Sequence, residues 1–283
     1  MGDHVTIYEV GPRDGLQNEK TLIATEDKIR LVNDLTACGF QKIEVTSFVS
    51  PKWVPQMADA TEVLEGIDRA AGVTYAALTP NLKGFDRARH ARADEVAIFA
   101  AATEGFSKAN INCTIDESLA RFEPVVKAAQ DAGISVRGCV SVITDCPYDG
   151  PVDPATVVRV AKALAEMGCH EVGLADTIGA ATPEKIAIVL DAVLQELPAD
   201  LLSGHFHDTN GRALDNIEVS LQKGIRLFDS AIGGLGGCPY APGATGNVAT
   251  EAVVERVTEL GYDTGLDAHK LRDVAVFARG LRG

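Results

Sequence analysis

The sequence predicts one α/β domain over residues 1–283, folded as a (β/α)8 TIM barrel. Three observations predict it. First, helix-period segments end at a glycine that a β-branched run follows at once, around Gly39, Gly72, Gly133, Gly168 and Gly224. Glycine closes a helix by accepting a left-handed backbone, and a short loop then enters a strand. Second, eight strand-like runs start on average roughly 30 residues apart, the size of a βαβ unit. Third, those runs are rich in Val, Ile, Leu and Ala, as strands are when both faces are covered. A chain of 283 residues suits one such barrel.

The elements follow in order. The first strand is expected at 5–9, and GPRDGLQNE leaves its end. Strands two to four are expected at 42–46, 73–78 and 95–100. Asp116 then precedes a one-sided apolar stripe of Leu119, Phe122, Val125, Val126 and Ala129, which marks a helix. Strand five is placed at 135–142. Asp153-Pro154 and Thr182-Pro183 each set a capping oxygen before a proline at a helix start, on either side of strand six at 170–176. Strands seven and eight are placed at 201–206 and 227–232. No Pro/Ser-rich linker or low-complexity tract divides the chain.

Composition excludes several classes of function. The formal net charge of −14 disfavours nucleic acid and anionic membrane surfaces. No apolar run approaches a membrane span. MGDHVTIYEV has no basic start, apolar middle or cleavage site, so the expected location is cytoplasmic. The cysteines, Cys38, Cys113, Cys139, Cys146, Cys169 and Cys238, form no C-x-x-C pair and read as free thiols. The first five read as ordinary core or surface residues. GGLGG (233–237) lacks G-x-G-x-x-G spacing and no Walker lysine is present, so nucleotide binding has little support.

Barrel enzymes carry their chemistry at the C-terminal ends of the strands. Those ends here hold Arg13, Asp14 and Gln17, then Glu44 and Thr46, then Asp176, then His205 and His207, then Cys238 and Asn247. In His205-Phe206-His207 the two imidazoles share one face of a strand, which suits a metal ion. Asp14 is the natural anionic partner, and Asn247 can add an amide oxygen. Two imidazoles and a carboxylate, joined by oxygen ligands, suit Mg2+ or Mn2+, with zinc as the competing ion. Arg13 is placed to hold a carbonyl oxygen that becomes negative, or simply to support Glu44 as an ion pair. Glu44 and Thr46 are expected on the same face of strand two. Asp176 is open between a helix cap and an acid/base role. Cys238 is open between a tolerated loop cysteine and a proton donor in a mobile glycine-rich loop.

Taken together, GPRDGLQNE, IEVTSFVSPKWVPQMAD, SKANIN, SVRGCVS, CPYDG, GLADTIG, HFHDTNG and GGLGGCPYAPGATGN resemble the 3-hydroxy-3-methylglutaryl-CoA lyase family. That family sits in the pyruvate-carboxyltransferase-like superfamily of metal-dependent barrels. GGLGGCPY is specific to the lyases, whereas the His-x-His and Arg-Asp motifs are shared more widely. The resemblance implies cleavage of 3-hydroxy-3-methylglutaryl-CoA to acetyl-CoA and acetoacetate, used in leucine degradation and ketone-body formation. It implies Asp14, His205, His207 and Asn247 as metal ligands, Arg13 as stabiliser of the enolate, and Cys238 as the catalytic thiol. Glu44 and Asp176 fall where the family supports or shares acid/base work, with His205 the other candidate base. Gln17 falls among the substrate-binding positions, and Lys108 and Asn110 where the family contacts coenzyme A. A homodimer is also implied. Ala109 departs from the second lysine often found in SKANIN, and no cysteine follows Cys238, so thiol regulation through a tail is not expected. The competing readings are a Claisen-type condensing enzyme such as a 2-isopropylmalate or homocitrate synthase, a 4-hydroxy-2-oxoacid aldolase, a lyase for related 3-hydroxy-3-methylacyl-CoA substrates, and a non-catalytic metal-binding paralogue.

Overall fold

The predicted helix stops set the rhythm of the chain. Gly39 and Gly168 adopt φ of 100° and 113°, and Gly72, Gly133 and Gly224 also have positive φ. The computed structural model describes residues 3–238 and 241–282, with backbone alone at 237, 238 and 241–245.

After each helix stop a strand begins. The eight are β1 (Thr6–Glu9), β2 (Lys42–Ser47), β3 (Thr74–Leu78), β4 (Glu95–Ala101), β5 (Ser135–Ser141), β6 (Glu171–Asp176), β7 (Leu202–Phe206) and β8 (Leu227–Ser230). Each pairs in parallel with its sequence neighbour, and β8 closes on β1 through Thr6 opposite Leu227. The expected (β/α)8 barrel is therefore the observed fold.

The helices follow in order: α1 (Thr25–Ala37), α2 (Ala60–Gly66), α3 (Leu82–His90), α4 (Glu104–Ile111), α5 (Ile115–Asp131), α6 (Pro154–Met167), α7 (Pro183–Val193), α8 (Ala213–Gln222), α9 (Thr250–Glu259) and α10 (Ala268–Gly280). Asp153 caps α6 by accepting from Ala155 N, and Thr182 caps α7 by accepting from Lys185 N. Helix α5 starts slightly earlier than Asp116 suggests. Thr114 and Glu117 form its capping box, which leaves Asp116 in the first turn. Its Phe122, Val125, Val126 and Ala129 pack against the strands.

The main apolar core lies between strands and helices. Inside the barrel the N-terminal half is ionic rather than apolar. Arg137 is 1% exposed, with Nη2 at 2.7 Å from Asp229 and Nε at 2.6 Å from Glu171. Lys42 Nζ reaches Glu171 at 2.6 Å and Glu95 at 3.6 Å. Tyr8 donates to Glu95 at 2.9 Å, and its ring lies 4.4 Å under the Arg137 guanidinium. These groups form a charged floor beneath the mouth. Four of the described cysteines are buried and Cys139 is partly exposed; all five are free thiols.

Candidate metal and substrate site

The chain leaves β1 through one turn of wide π-type helix, Gly11–Gly15, which carries Arg13 and Asp14. Such turns are costly unless the surroundings fix them, and they recur at functional sites. Here the amides of Arg13, Asp14 and Gly15 all donate to the Val10 carbonyl. Gly15 permits the turn to lie against the loop after β8, since a Cβ there would sit 2.7 Å from Leu235 Cβ. Buried Glu9 ties the same loops by accepting from Gly11 N, Ile232 N and Thr250 Oγ1.

Arg13 and Glu44 pair as the sequence suggests. Nε and Nη2 of Arg13 approach Glu44 Oε2 at 2.7 and 2.6 Å, and Nη1 approaches Asp14 Oδ1 at 2.5 Å. Burial opposes charge on Arg13, but the two carboxylates hold it firmly cationic. Glu44 is 1% exposed and its Oε1 has no partner among the described residues. Burial pushes its carboxyl upward against the pull of Arg13. Thr46 does not share this site. A register irregularity separates it from Glu44, and its hydroxyl donates to Met57 Sδ at 3.6 Å.

Asp14 is the hub. It accepts from Gln17 Nε2 at 2.8 Å and from Asn247 Nδ2 at 2.7 Å. Burial works against ionisation, yet Arg13 and then His205 and His207 hold the carboxyl well below the usual carboxylate range. One donor atom each of Asp14, His205 and His207 lies within 4.8 Å of the others. His207 Nε2 is 4.0 Å from Asp14 Oδ2, and the two imidazole centroids are 5.1 Å apart. Burial, then the charge of His205, pushes His207 down to about 4, so it stays neutral and keeps a lone pair for a cation. This donor set fits a divalent ion: one anionic oxygen, two imidazole nitrogens, and an approach from the open mouth. A bridge between His207 and Asn247 sets those two residues side by side. Asn247 turns its amide nitrogen, not its oxygen, toward Asp14 and the Leu235 carbonyl. A ligand role for its oxygen requires the amide to turn over.

Asp176 ends β6, where its carboxylate accepts from Ala180 N and Ala181 N at 3.1 and 3.0 Å. It therefore caps the loop and not α7, whose cap is Thr182. Burial raises Asp176 to about 6 despite those bonds. Lys108 and Asn110 are exposed on α4, and among the described residues no hydrogen bond or ion pair joins them to the buried cluster. Cys238 lies in a short hairpin, Gly237–Cys238 paired with Ala241–Thr245, but its thiol is outside the described side chains.

Asp229 is the residue that motif reading misses. It is 4% exposed, and its Oδ2 is 2.9 Å from Nδ1 of His205. Its signal is a lone charge in an otherwise uncharged strand run, LFDSAI. The same signal marks Arg137 in SVRGCVS and Glu171 in CHEVGL.

Comparison with known proteins gives a consistent result. A family model described as HMGL-like matches residues 4–277. The chain is 57% identical over 269 residues to the 3-hydroxy-3-isohexenylglutaryl-CoA/hydroxy-methylglutaryl-CoA lyase of Pseudomonas aeruginosa, covering 95% of this chain and 90% of that one. It superposes on the crystal structure of the HMG-CoA lyase from Brucella melitensis with a TM-score of 0.98 and 58% identity, covering 99% of each chain. An HMG-CoA lyase of Acinetobacter baumannii, solved in complex with coenzyme A and 3-methylmalate, superposes with a TM-score of 0.94 at 38% identity, covering 99% of this chain and 92% of that one.

Proposed function

This chain belongs to the HMGL-like family of HMG-CoA lyases, and on that premise we propose that it cleaves 3-hydroxy-3-methylglutaryl-CoA to acetyl-CoA and acetoacetate. The observation that carries this reading is the convergence of Asp14, His205 and His207 beside the Arg13–Glu44 pair. The whole chain, residues 1–283, acts as one catalytic domain in this reading, cytoplasmic and homodimeric. No described helix is long and apolar enough to cross a membrane.

Asp14, His205 and His207, with the Asn247 amide oxygen as a further donor, would hold Mg2+ or Mn2+, which makes the substrate's tertiary hydroxyl more acidic. Asp176 takes the hydroxyl proton; His205, the other candidate base, would have both ring nitrogens engaged, Nδ1 on Asp229 and Nε2 on the cation. The freed O–H electron pair becomes the ketone of acetoacetate as the C–C bond breaks. The electrons of that bond leave on the coenzyme A fragment as an enolate. Arg13 faces the developing oxyanion and is oriented by Glu44. The Cys238 thiol delivers a proton to the enolate carbon and recovers one from the base. Gln17 steadies Asp14, and Lys108 and Asn110 contact coenzyme A.

The test is a coupled assay of acetoacetate release. Activity lost on chelator dialysis and restored by Mg2+ or Mn2+ is expected; full activity after chelation contradicts the metal role. A second substrate is indicated by the P. aeruginosa relative, whose name covers 3-hydroxy-3-isohexenylglutaryl-CoA. Running both thioesters in the same assay separates a narrow lyase from a broad one.

A further inference from the structure

We propose that Asp229 is a positioning residue for this site: it fixes His205 with Nδ1 protonated and Nε2 turned to the Asp14–His207 side. The proposal rests on the reading of Asp14, His205 and His207 as cation holders.

The geometry leaves Asp229 little choice. An ionised carboxylate only accepts hydrogen bonds. Oδ2 of Asp229, at 2.9 Å, therefore takes the proton of His205 Nδ1. In the neutral ring the other nitrogen then carries the lone pair, and a cation at the mouth selects that form. Oδ1 is already committed to Arg137 Nη2 at 2.7 Å. Arg137 is in turn held by Ser203 Oγ at 3.0 Å and lies against Glu171, which Lys42 neutralises at 2.6 Å. With both oxygens engaged, Asp229 is anchored in the floor and does not reach the mouth as a ligand itself. His207 offers the contrast: its Nδ1 is buried without a hydrogen-bond partner among the described residues. One imidazole is thus oriented by a fixed anion before any cation arrives, and the other is not. A carboxylate behind a ligating histidine typically contributes about 10- to 100-fold in metal affinity.

The test uses the full-length protein and Mn2+ alone, titrated by electron paramagnetic resonance. Asp229→Asn should bind Mn2+ about 10- to 100-fold more weakly than the wild type. Ser203→Ala, which loses a floor contact but none to His205, should bind as the wild type does. Equal affinity in Asp229→Asn, or an equal loss in Ser203→Ala, overturns the positioning role. A wild type that binds no Mn2+ overturns the metal reading itself. A second measurement needs no variant. Long-range 1H–15N spectra of the metal-free wild type, at alkaline pH where imidazole is neutral, should show the His205 proton on Nδ1. A proton on Nε2 overturns the proposal even if Asp229→Asn fails to fold.

Discussion

The two halves of the barrel interior hold similar chemistry and use it oppositely. In the floor each carboxylate has a cation within reach: Asp229 has Arg137 at 2.7 Å, Glu171 has Lys42 at 2.6 Å, and Glu95 has His170 at 3.0 Å. In the mouth, Glu44 Oε1 and His207 Nδ1 have no partner among the described residues, and buried Asp176 is raised to about 6. A buried charge that loses its partner is costly, and a buried polar group without one costs free energy that water or a ligand can recover. The floor is thus a finished structure, and the mouth is unfinished until something from outside the chain enters it. Arg137 Nε shows the limit of this division. It lies 2.6 Å from Glu171 yet off the hydrogen-bond line, so that contact is Coulombic.

If the division holds, breaking the floor should cost stability and breaking the mouth should cost turnover. The largest expected effect is Arg137→Met. It takes the guanidinium from Asp229 and leaves Glu171 to Lys42 alone, and removing one partner of a buried ion pair costs about 3–5 kcal/mol. Urea unfolding at neutral pH measures it; a loss under about 1 kcal/mol would mean the floor is not structural. Next is Arg13→Ala. It removes the group facing the oxyanion, so turnover should fall on the order of 10²–10³-fold. The fold should survive, because burial already pushes the Glu44 carboxyl toward its neutral form. Initial rates and cooperative melting measure the two halves of that prediction, and normal turnover refutes the oxyanion role.

The smallest effect is at the solvent-facing end of the floor. His170 pairs with Glu95 through Nε2 and contacts the Val136 carbonyl through Nδ1, with Lys42 and Glu171 nearby. The Glu95 bond raises His170 above its ordinary 6.5 against the effect of burial. A raised histidine stabilises the fold fully below its unfolded pKa, and that contribution is lost as pH climbs through the raised value. Wild-type stability should therefore decline somewhat from pH 6.5 upward, and His170→Gln should flatten that decline. Parallel pH profiles of the two proteins would show that the pair contributes nothing.

How much of this was legible in the sequence differs between the same two halves. The barrel was legible because its signals are local: glycines that end helices, and apolar runs at βαβ spacing. The mouth was legible because GPRDGLQ and HFH bring several ligating or charged residues together within single loops and strands. The floor was not. Lys42, Glu95, Arg137, Glu171 and Asp229 come from five strands, one residue each, and meet only when the sheet closes. Each looks like an isolated charge in an apolar strand. The register irregularity that parts Thr46 from Glu44 and the orientation of the Asn247 amide are likewise products of packing. Nothing in the local sequence specifies them.

The central claim is that Asp14, His205 and His207 share one cation. Crystals grown with Mn2+ and measured at an anomalous wavelength test it most directly. The expected result is a single anomalous peak at the mouth within bonding distance of one oxygen of Asp14 and one nitrogen of each histidine. A structure at saturating Mn2+ with no peak among those three side chains, or with the ion held elsewhere, contradicts the claim.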